Sequence, residues 1–259
     1  MIPPESLPPA RLVIKLRRAR RQLRQLRKTV NVFAVSNKGE WRRVVNQEKT
    51  HYLYSLYIPP GPPAAQLLAD EAVHHLRSLL DQLITAIIEA RGGSAASCQF
   101  PIRDTQPKSD KEIATFNASI AGVPDWARDL IIAVQPYQRE NVIQAHRHPL
   151  WLLNRLDNRF KHTSLDLFSF RVQMPNLPGV VARARSWPSL QRGDVFAQVP
   201  VNIDVQKDFE PHISVHLMFA VPRIGVDGIG LSTLEEIYNF VRDEILAKFV
   251  IGARIPPRL

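Results

Sequence analysis

The chain of 259 residues lacks the features of exported and membrane-spanning proteins. Cys98 is its only cysteine, which excludes an intrachain disulfide and a metal cluster built on several cysteines. A chain of this size without disulfides is typical of a reducing cytosol. No apolar run approaches the roughly eighteen residues that a membrane-spanning helix needs, and arginines interrupt the N-terminal apolar patch where a signal peptide would continue. The sequence therefore predicts a cytoplasmic protein with no membrane span.

Positive charge is concentrated at the N-terminus. The formal net charge is +10 at pH 7. Residues 1–28 hold nine Lys or Arg against Glu5 alone, which gives +8, and the other 231 residues carry 25 basic and 23 acidic side chains, which gives +2. The body of the chain is therefore close to neutral. Any electrostatic attraction to nucleic acid belongs to the N-terminal segment.

The same segment has the spacing of an amphipathic helix. Intervals of 4, 3, 4, 3 and 4 residues separate its apolar positions Leu12, Leu16, Ala19, Leu23, Leu26 and Val30. We expect residues 1–28 to form a basic helix that binds RNA or another polyanion with its outer face. The residues that we expect to make this contact are Arg17, Arg18, Arg21 and Arg24. A solvent-exposed flank without a ligand and an anionic membrane surface are the alternatives.

The remaining pattern predicts one α+β domain over residues 29–259. Residues 29–58 predict a β-hairpin unit, with strands at Val30–Ser36, Trp41–Asn46 and His51–Ile58. Residues 64–162 predict a helical core. After them come antiparallel strands over 163–222 and a C-terminal amphipathic helix over 232–250. The expected fold is a central helical layer with antiparallel β-strands before and after it.

The strongest predicted helix runs from Ala64 to Arg91 and carries polar side chains along one stripe. The spacings of 4, 3, 4 and 4 align Asp70, His74, Arg77, Asp81 and Thr85. An imidazole, a guanidinium and carboxylates on successive turns suit anion binding or proton transfer. The alternative is a solvated face in which Arg77 and Asp81 form an i,i+4 ion pair worth about 0.3–0.5 kcal/mol.

A second polar cluster, residues 154–162, ends the helix predicted from Pro149. Basic side chains at a helix C-terminus meet the dipole favourably, which accounts for Arg159, Lys161 and His162. Asp157 is disfavoured there unless a cation lies nearby. We therefore expect Arg77 to approach Asp157 and to join the two clusters in one site.

These segments resemble a widespread family of uncharacterised bacterial proteins. The family pattern reads N-L-R-S-x-L-D-H, F-P-I, Q-P-Y and D-N-x-D-K-H-R, in that order. The matching segments here are His75–Gln82, Phe100–Ile102, Gln135–Tyr137 and Leu156–His162. The resemblance covers about residues 66–165, and it implies candidate positions rather than an activity.

The family pattern also resembles the R-x4–6-H signature of HEPN ribonucleases, in which paired helices, usually across a dimer, cut RNA without a metal. That resemblance implies a homodimer, no cofactor and metal-independent RNA cleavage. The implied catalytic residues are Arg77, His162, His74 and Asp81, supported by Asp157, Asn158 and Lys161. Gln82 stands where the family has histidine, and an amide cannot transfer a proton. The alternative function is a non-enzymatic interaction module in which both clusters form ion-pair networks.

Other candidates carry less chemistry. His146 and His148 flank Arg147, but a metal site needs three or four converging ligands, so we expect no metal site. Cys98 lies beside Phe100 in an apolar setting and is expected to pack rather than to react.

Overall fold

Helices make up most of the part of the chain that the computed structural model describes. The described residues are 9–36, 40–57, 61–96, 98–160, 168–173, 181–182, 195–201, 212–219 and 229–249. The helices are α1 (Pro9–Ser36), α2 (Pro63–Glu89), α3 (Asp110–Ser119), α4 (Asp125–Ala133), α5 (Val142–His146), α6 (Pro149–Phe160) and α7 (Leu231–Phe240). A 3-10 turn, Pro136–Gln138, separates α4 from α5. Helix α7 continues as a π-helical stretch, Val241–Leu246, and ends in one α-helical turn, Ala247–Phe249.

Strands from both ends of the sequence share a sheet. The strands are β1 (Glu40–Val45), β2 (His51–Tyr57), β3 (Phe168–Gln173), β4 (Val181–Ala182), β5 (Val195–Pro200), β6 (His212–Phe219) and β7 (Ile229–Gly230). One sheet has the order β1-β2-β5-β4 and the other β3-β6-β7, and the described pairs are antiparallel. Strand β2, which precedes α2 to α6 in sequence, is hydrogen-bonded to β5, which follows them. The fold is α+β, as predicted.

The chain divides into two compact units. We call the first the helical unit; it consists of Met1–Leu26, Leu67–Ser164 and Leu231–Leu259. The second, the β unit, consists of Arg27–Gln66 and Leu165–Gly230 and contains both sheets. The sequence pattern indicated only a single domain after residue 28.

In the helical unit, α1 and α2 run antiparallel. Lys15 Nζ donates to Ser78 Oγ at 2.7 Å, and Gln22 Nε2 donates to Glu71. Residue numbers therefore rise along α1 while their partners fall along α2. The predicted apolar seam of α1 is buried throughout: Leu12, Leu16, Ala19, Leu23, Leu26 and Val30. The 4-3-4-3-4 spacing thus identified the buried face of this helix correctly.

One predicted strand is wrong. Val30–Ser36 is not the first strand of a hairpin but the last part of α1. Val30 and Phe33 are both buried, and they continue the helical spacing from Leu26. Packing of an amphipathic face therefore outweighs the β-propensity of Val30, Val32 and Val35, which amounts to a fraction of a kcal/mol per residue. The predicted turn at residues 37–39 lies outside the described residues.

The boundaries of the other predicted elements agree with the structure to within a few residues. Helix α2 ends at Glu89, and Gly92 adopts a positive φ of 72°, as a glycine after a helix does. A capping box between Ser109 and Glu112 begins α3. The observed hairpin joins β1 to β2, and Asn46 Oδ1 accepts from the backbone N–H of Thr50 at its turn. The short helix α5, strand β7 and the π-helical stretch were not predicted.

Among the described helices, none combines the length and the hydropathy that crossing a bilayer requires.

Candidate functional site

Arg77 and Asp81 of α2 hold the backbone of Phe100. Arg77 Nη2 donates to the Phe100 carbonyl at 3.1 Å, and Asp81 Oδ1 accepts from the Phe100 N–H at 3.0 Å. Arg77 Nη1 lies 3.1 Å from Asp81 Oδ1 without a hydrogen-bond angle, so that contact is Coulombic. The predicted ion pair is therefore present, and its two members also satisfy both backbone polar groups of Phe100, the N–H and the carbonyl. We call these three residues the α2 clamp.

Gln135 holds the next part of the same segment. This side chain is 1% exposed, and its Nε2 donates to the carbonyls of Pro101 at 2.9 Å and Ile131 at 3.0 Å. Its Oε1 accepts from the Arg103 N–H at 3.0 Å, and the Arg103 carbonyl accepts from the Tyr137 N–H at 3.3 Å. Three of the four sequence motifs therefore meet in one hydrogen-bond network that positions residues 100–103.

The α2 clamp is poorly suited to bind a ligand. Arg77 has a side-chain exposure of 12%, and its guanidinium is directed to Asp81 and the Phe100 carbonyl. A guanidinium this buried and held against a carbonyl and a carboxylate is poorly accessible to a phosphate, although its Nη1 makes no hydrogen bond within the described residues. Within the stripe on α2, Arg77 and Asp81 are thus part-buried in a structural network rather than solvated.

His74 brings the second motif cluster to α2. Its Nδ1 lies 3.7 Å from Asp157 Oδ1 of α6, with side-chain exposures of 59% for His74 and 4% for Asp157. One partner of Asp157 is therefore an imidazole that lies one turn before Arg77 on α2. The direct approach of Arg77 to Asp157 stays a prediction. Asn158 is exposed on α6, whereas Lys161 and His162 lie outside the described residues.

Carboxylates and imidazoles crowd the polar side of α2. Burial raises the pKa of Asp70, opposed by the charge of His74 and reinforced by the carboxylates of Asp157 and Glu71. Burial also lowers the pKa of His75, as do the nearby charges of Lys15 and Arg18 on α1. An exposed imidazole beside a buried carboxylate is an arrangement that can orient a histidine for proton transfer.

The arginines of α1 lie on the side opposite its buried seam. Arg17, Arg18, Arg21 and Arg24 are all exposed, and we call them the arginine face. In the described ranges of the chain, these four side chains have no acidic partner within salt-bridge distance. Their charges are therefore not neutralised by this part of the protein. The structure agrees with the predicted exposure of all four.

His146 and His148, weighed as a metal pair, have separate partners. His146 Nε2 lies 3.1 Å from Asp104 Oδ2, and the His146 ring stacks on Trp151. His148 is 4% exposed, and its Nδ1 accepts from the Leu150 N–H at the start of α6. Over the residues that the structure describes, no three His, Cys, Asp or Glu side chains converge as metal ligands would. The contact with Asp104 was missed because 42 positions separate the two residues and no local spacing signals it.

Comparison of the chain with protein-family models, with curated proteins and with solved structures finds no match. The resemblances to the bacterial family and to HEPN ribonucleases therefore stay predictions.

Proposed function

We propose that this protein binds nucleic acid, with RNA as the leading ligand, through the arginine face of α1. The observation that carries the proposal is four exposed guanidiniums without acidic partners in the described part of the chain, on a helix whose other side is buried. A helix fixed by its apolar seam presents these charges on a rigid support. Phosphate neutralisation by such groups releases counterions, and this release drives binding without a requirement for sequence.

The α2 clamp supports a binding module rather than a catalytic centre on α2. Arg77 and Asp81, two of the expected catalytic residues, serve the backbone of Phe100. Under this proposal, the motif residues stabilise the helical unit and α1 provides the ligand-binding surface.

The test replaces Arg17, Arg18, Arg21 and Arg24 with Gln and measures RNA affinity by fluorescence anisotropy at several salt concentrations. Four lost contacts to a single strand are expected to reduce the log–log salt slope by about 3. The matched control replaces four basic residues that are exposed outside α1 with Gln, so that both variants lose the same positive charge. These residues are Arg91, Lys108, Lys111 and Arg155. Equal losses in both variants, or a flat salt dependence in the parent, would refute the proposal.

A second candidate function is metal-independent RNA cleavage, favoured by the exposed His74 beside the buried Asp157. An imidazole would take the proton of the 2′-hydroxyl, and cations would stabilise the charge that develops on the phosphate. We expect purified protein in EDTA to cut single-stranded RNA and to leave DNA intact, because only RNA has the 2′-hydroxyl.

The variants His74→Ala and His162→Ala are expected to lower that cleavage rate by about 100-fold and to melt within a few degrees of the parent. Arg77→Ala is a poor probe of chemistry because it also opens the α2 clamp. Absence of cleavage in the parent, with RNA binding intact, leaves the binding module as the function.

A further inference from the structure

A small aromatic stack lies where α5 ends and α6 begins. The rings of His146 and Trp151 have centroids 4.3 Å apart and an interplanar angle of 21°, which is a stacked arrangement. His146 Nε2 is held by Asp104 Oδ2 at 3.1 Å. The indole on one face and the carboxylate at one edge together fix the plane of the imidazole.

The position of Asp104 is set by the hydrogen-bond network of the motifs. The backbone N–H and carbonyl of the preceding residue, Arg103, are held by Gln135 and by the Tyr137 N–H. Asp104 therefore follows a fixed peptide, and Trp151 lies in the first turn of α6. The stack is thus anchored from two sides by ordered backbone.

One side of this stack stays open. His146 keeps a side-chain exposure of 36%, although Trp151 covers one face of its ring and Asp104 occupies one nitrogen. The exposed part therefore belongs to the portion of the side chain that these two contacts leave uncovered, which includes the Nδ1 edge and the face opposite Trp151 as the candidate surfaces. Nδ1 makes no hydrogen bond within the described ranges. The next residue in the sequence, Arg147, is also exposed.

We propose that the part of the His146 ring that Trp151 and Asp104 leave uncovered is a stacking site for an unpaired nucleobase, and that the exposed Arg147, next in sequence, reaches the adjoining phosphate. The inference rests on the proposed nucleic-acid binding and narrows its ligand to single strands. A flat ring that is already oriented loses little freedom when a base stacks on it. Every base has a π-face, so such a site tolerates any sequence, whereas bases inside a duplex are stacked on one another and do not reach it.

The test compares the affinities of the protein for two single strands with the same backbone and the same length. One consists of adenosines, and the other is abasic at every position. A length of about twelve nucleotides lies within the usual range of single-strand sites. Both carry the same phosphates, so their affinity ratio reports the bases alone. The parent is expected to prefer the adenosine strand by about tenfold, and His146→Ala to lose most of that preference while it still binds the abasic strand.

Three further variants separate stacking from other roles of His146. His146→Phe keeps an aromatic face without a titratable group and is expected to retain the preference. Asp104→Asn keeps an acceptor for Nε2 and is expected to retain it in part. Trp151→Phe keeps an aromatic ring against the covered face of His146 and is expected to retain the preference.

An affinity ratio near one in the parent, or one that His146→Ala leaves unchanged, overturns the inference and assigns His146 and Asp104 to a surface ion pair at the end of α5. That result leaves the proposed function standing, since the salt slope and the arginine-face variant test it independently. Loss of binding to both strands in every His146 variant, with the folded state intact by circular dichroism, likewise overturns base stacking.

Discussion

His148 makes the stability of the helical unit depend on pH. Its ring is 4% exposed, packs edge-on against Phe240 with centroids 4.8 Å apart, and accepts the Leu150 N–H through Nδ1 at 3.2 Å. Because it precedes Pro149 at the start of α6, its unprotonated Nδ1 caps the helix. A proton on Nδ1 removes this acceptor and places a charge against the ring of Phe240.

The size of the effect follows from the pKa of His148. Burial, with a contribution from the charge of Arg139, lowers the pKa of His148 from 6.5 to about 4. Between those two values the unfolded chain binds a proton that the folded chain does not. The contribution of His148 is therefore fully present above pH 6.5 and is lost as pH falls toward 4. At 1.36 kcal/mol per pKa unit, the loss is about 2 kcal/mol at pH 5 and about 3 kcal/mol at pH 4.

The assay is urea unfolding from pH 7.5 to pH 4, followed by circular dichroism, for the parent and for His148→Asn. Asparagine offers an oxygen to the Leu150 N–H, so it keeps the cap acceptor but does not titrate. Carboxylate titrations are common to both proteins and cancel in the difference between their unfolding free energies. Between pH 7.5 and pH 4, the unfolding free energy of the parent is expected to fall by about 3 kcal/mol relative to that of His148→Asn. His51→Gln, which changes a histidine of the β unit, is the control.

Parallel pH profiles for the parent and His148→Asn would show that His148 is protonated in the folded state at acidic pH or is accessible to water. Either result refutes the reasoning from burial. A difference that changes mainly above pH 6.5 rather than between pH 6.5 and pH 4 would mean that another group is responsible.

Two further predictions concern the motif network and a helix cap. Arg77→Met leaves Asp81 and the Phe100 carbonyl without their cation and is expected to lower the free energy of unfolding by about 2 kcal/mol, against less than about 0.5 kcal/mol for the exposed control Arg155→Met. Equal melting temperatures for these two variants would contradict a structural role for the clamp. Ser109→Ala removes the side-chain acceptor at the start of α3 and is expected to cost about 1 kcal/mol. Faster amide exchange confined to the first turn of α3 would confirm this cap, and unchanged exchange there would exclude it.

The α2 clamp changes the interpretation of the motifs. Arg77 and Asp81, which the sequence predicted to be catalytic residues on α2, contact the backbone of Phe100 in the segment 100–103. That segment in turn positions Asp104. A stripe of polar residues on a helix is compatible with a catalytic role or with a structural one. The spacing shows which side chains share a face of the helix, but it does not show which other residues contact that face.

The sequence by itself determined the local structure that spacing encodes. The seam of α1 is buried as its period predicted, and the exposure of Arg17, Arg18, Arg21 and Arg24 follows from the same period. The predicted extent of α2 and the predicted start of α6 at Pro149 also agree with the structure to within a few residues. These features depend on residues three or four positions apart, whose proximity is set by helical geometry alone. The same reasoning failed at Val30–Ser36, because β-propensity competed there with packing that no local rule weighs.

Only the tertiary structure decided which distant groups meet. The i,i+4 pair of Arg77 and Asp81 was predictable, but their contact with Phe100 depends on the path of the loop after α2. Likewise, His74 was found beside Asp157, and Asp104 meets His146 across 42 positions. Such pairings are selected by the collective packing of whole elements, in which many weak contacts outweigh any single attraction, so charge and spacing alone do not specify them.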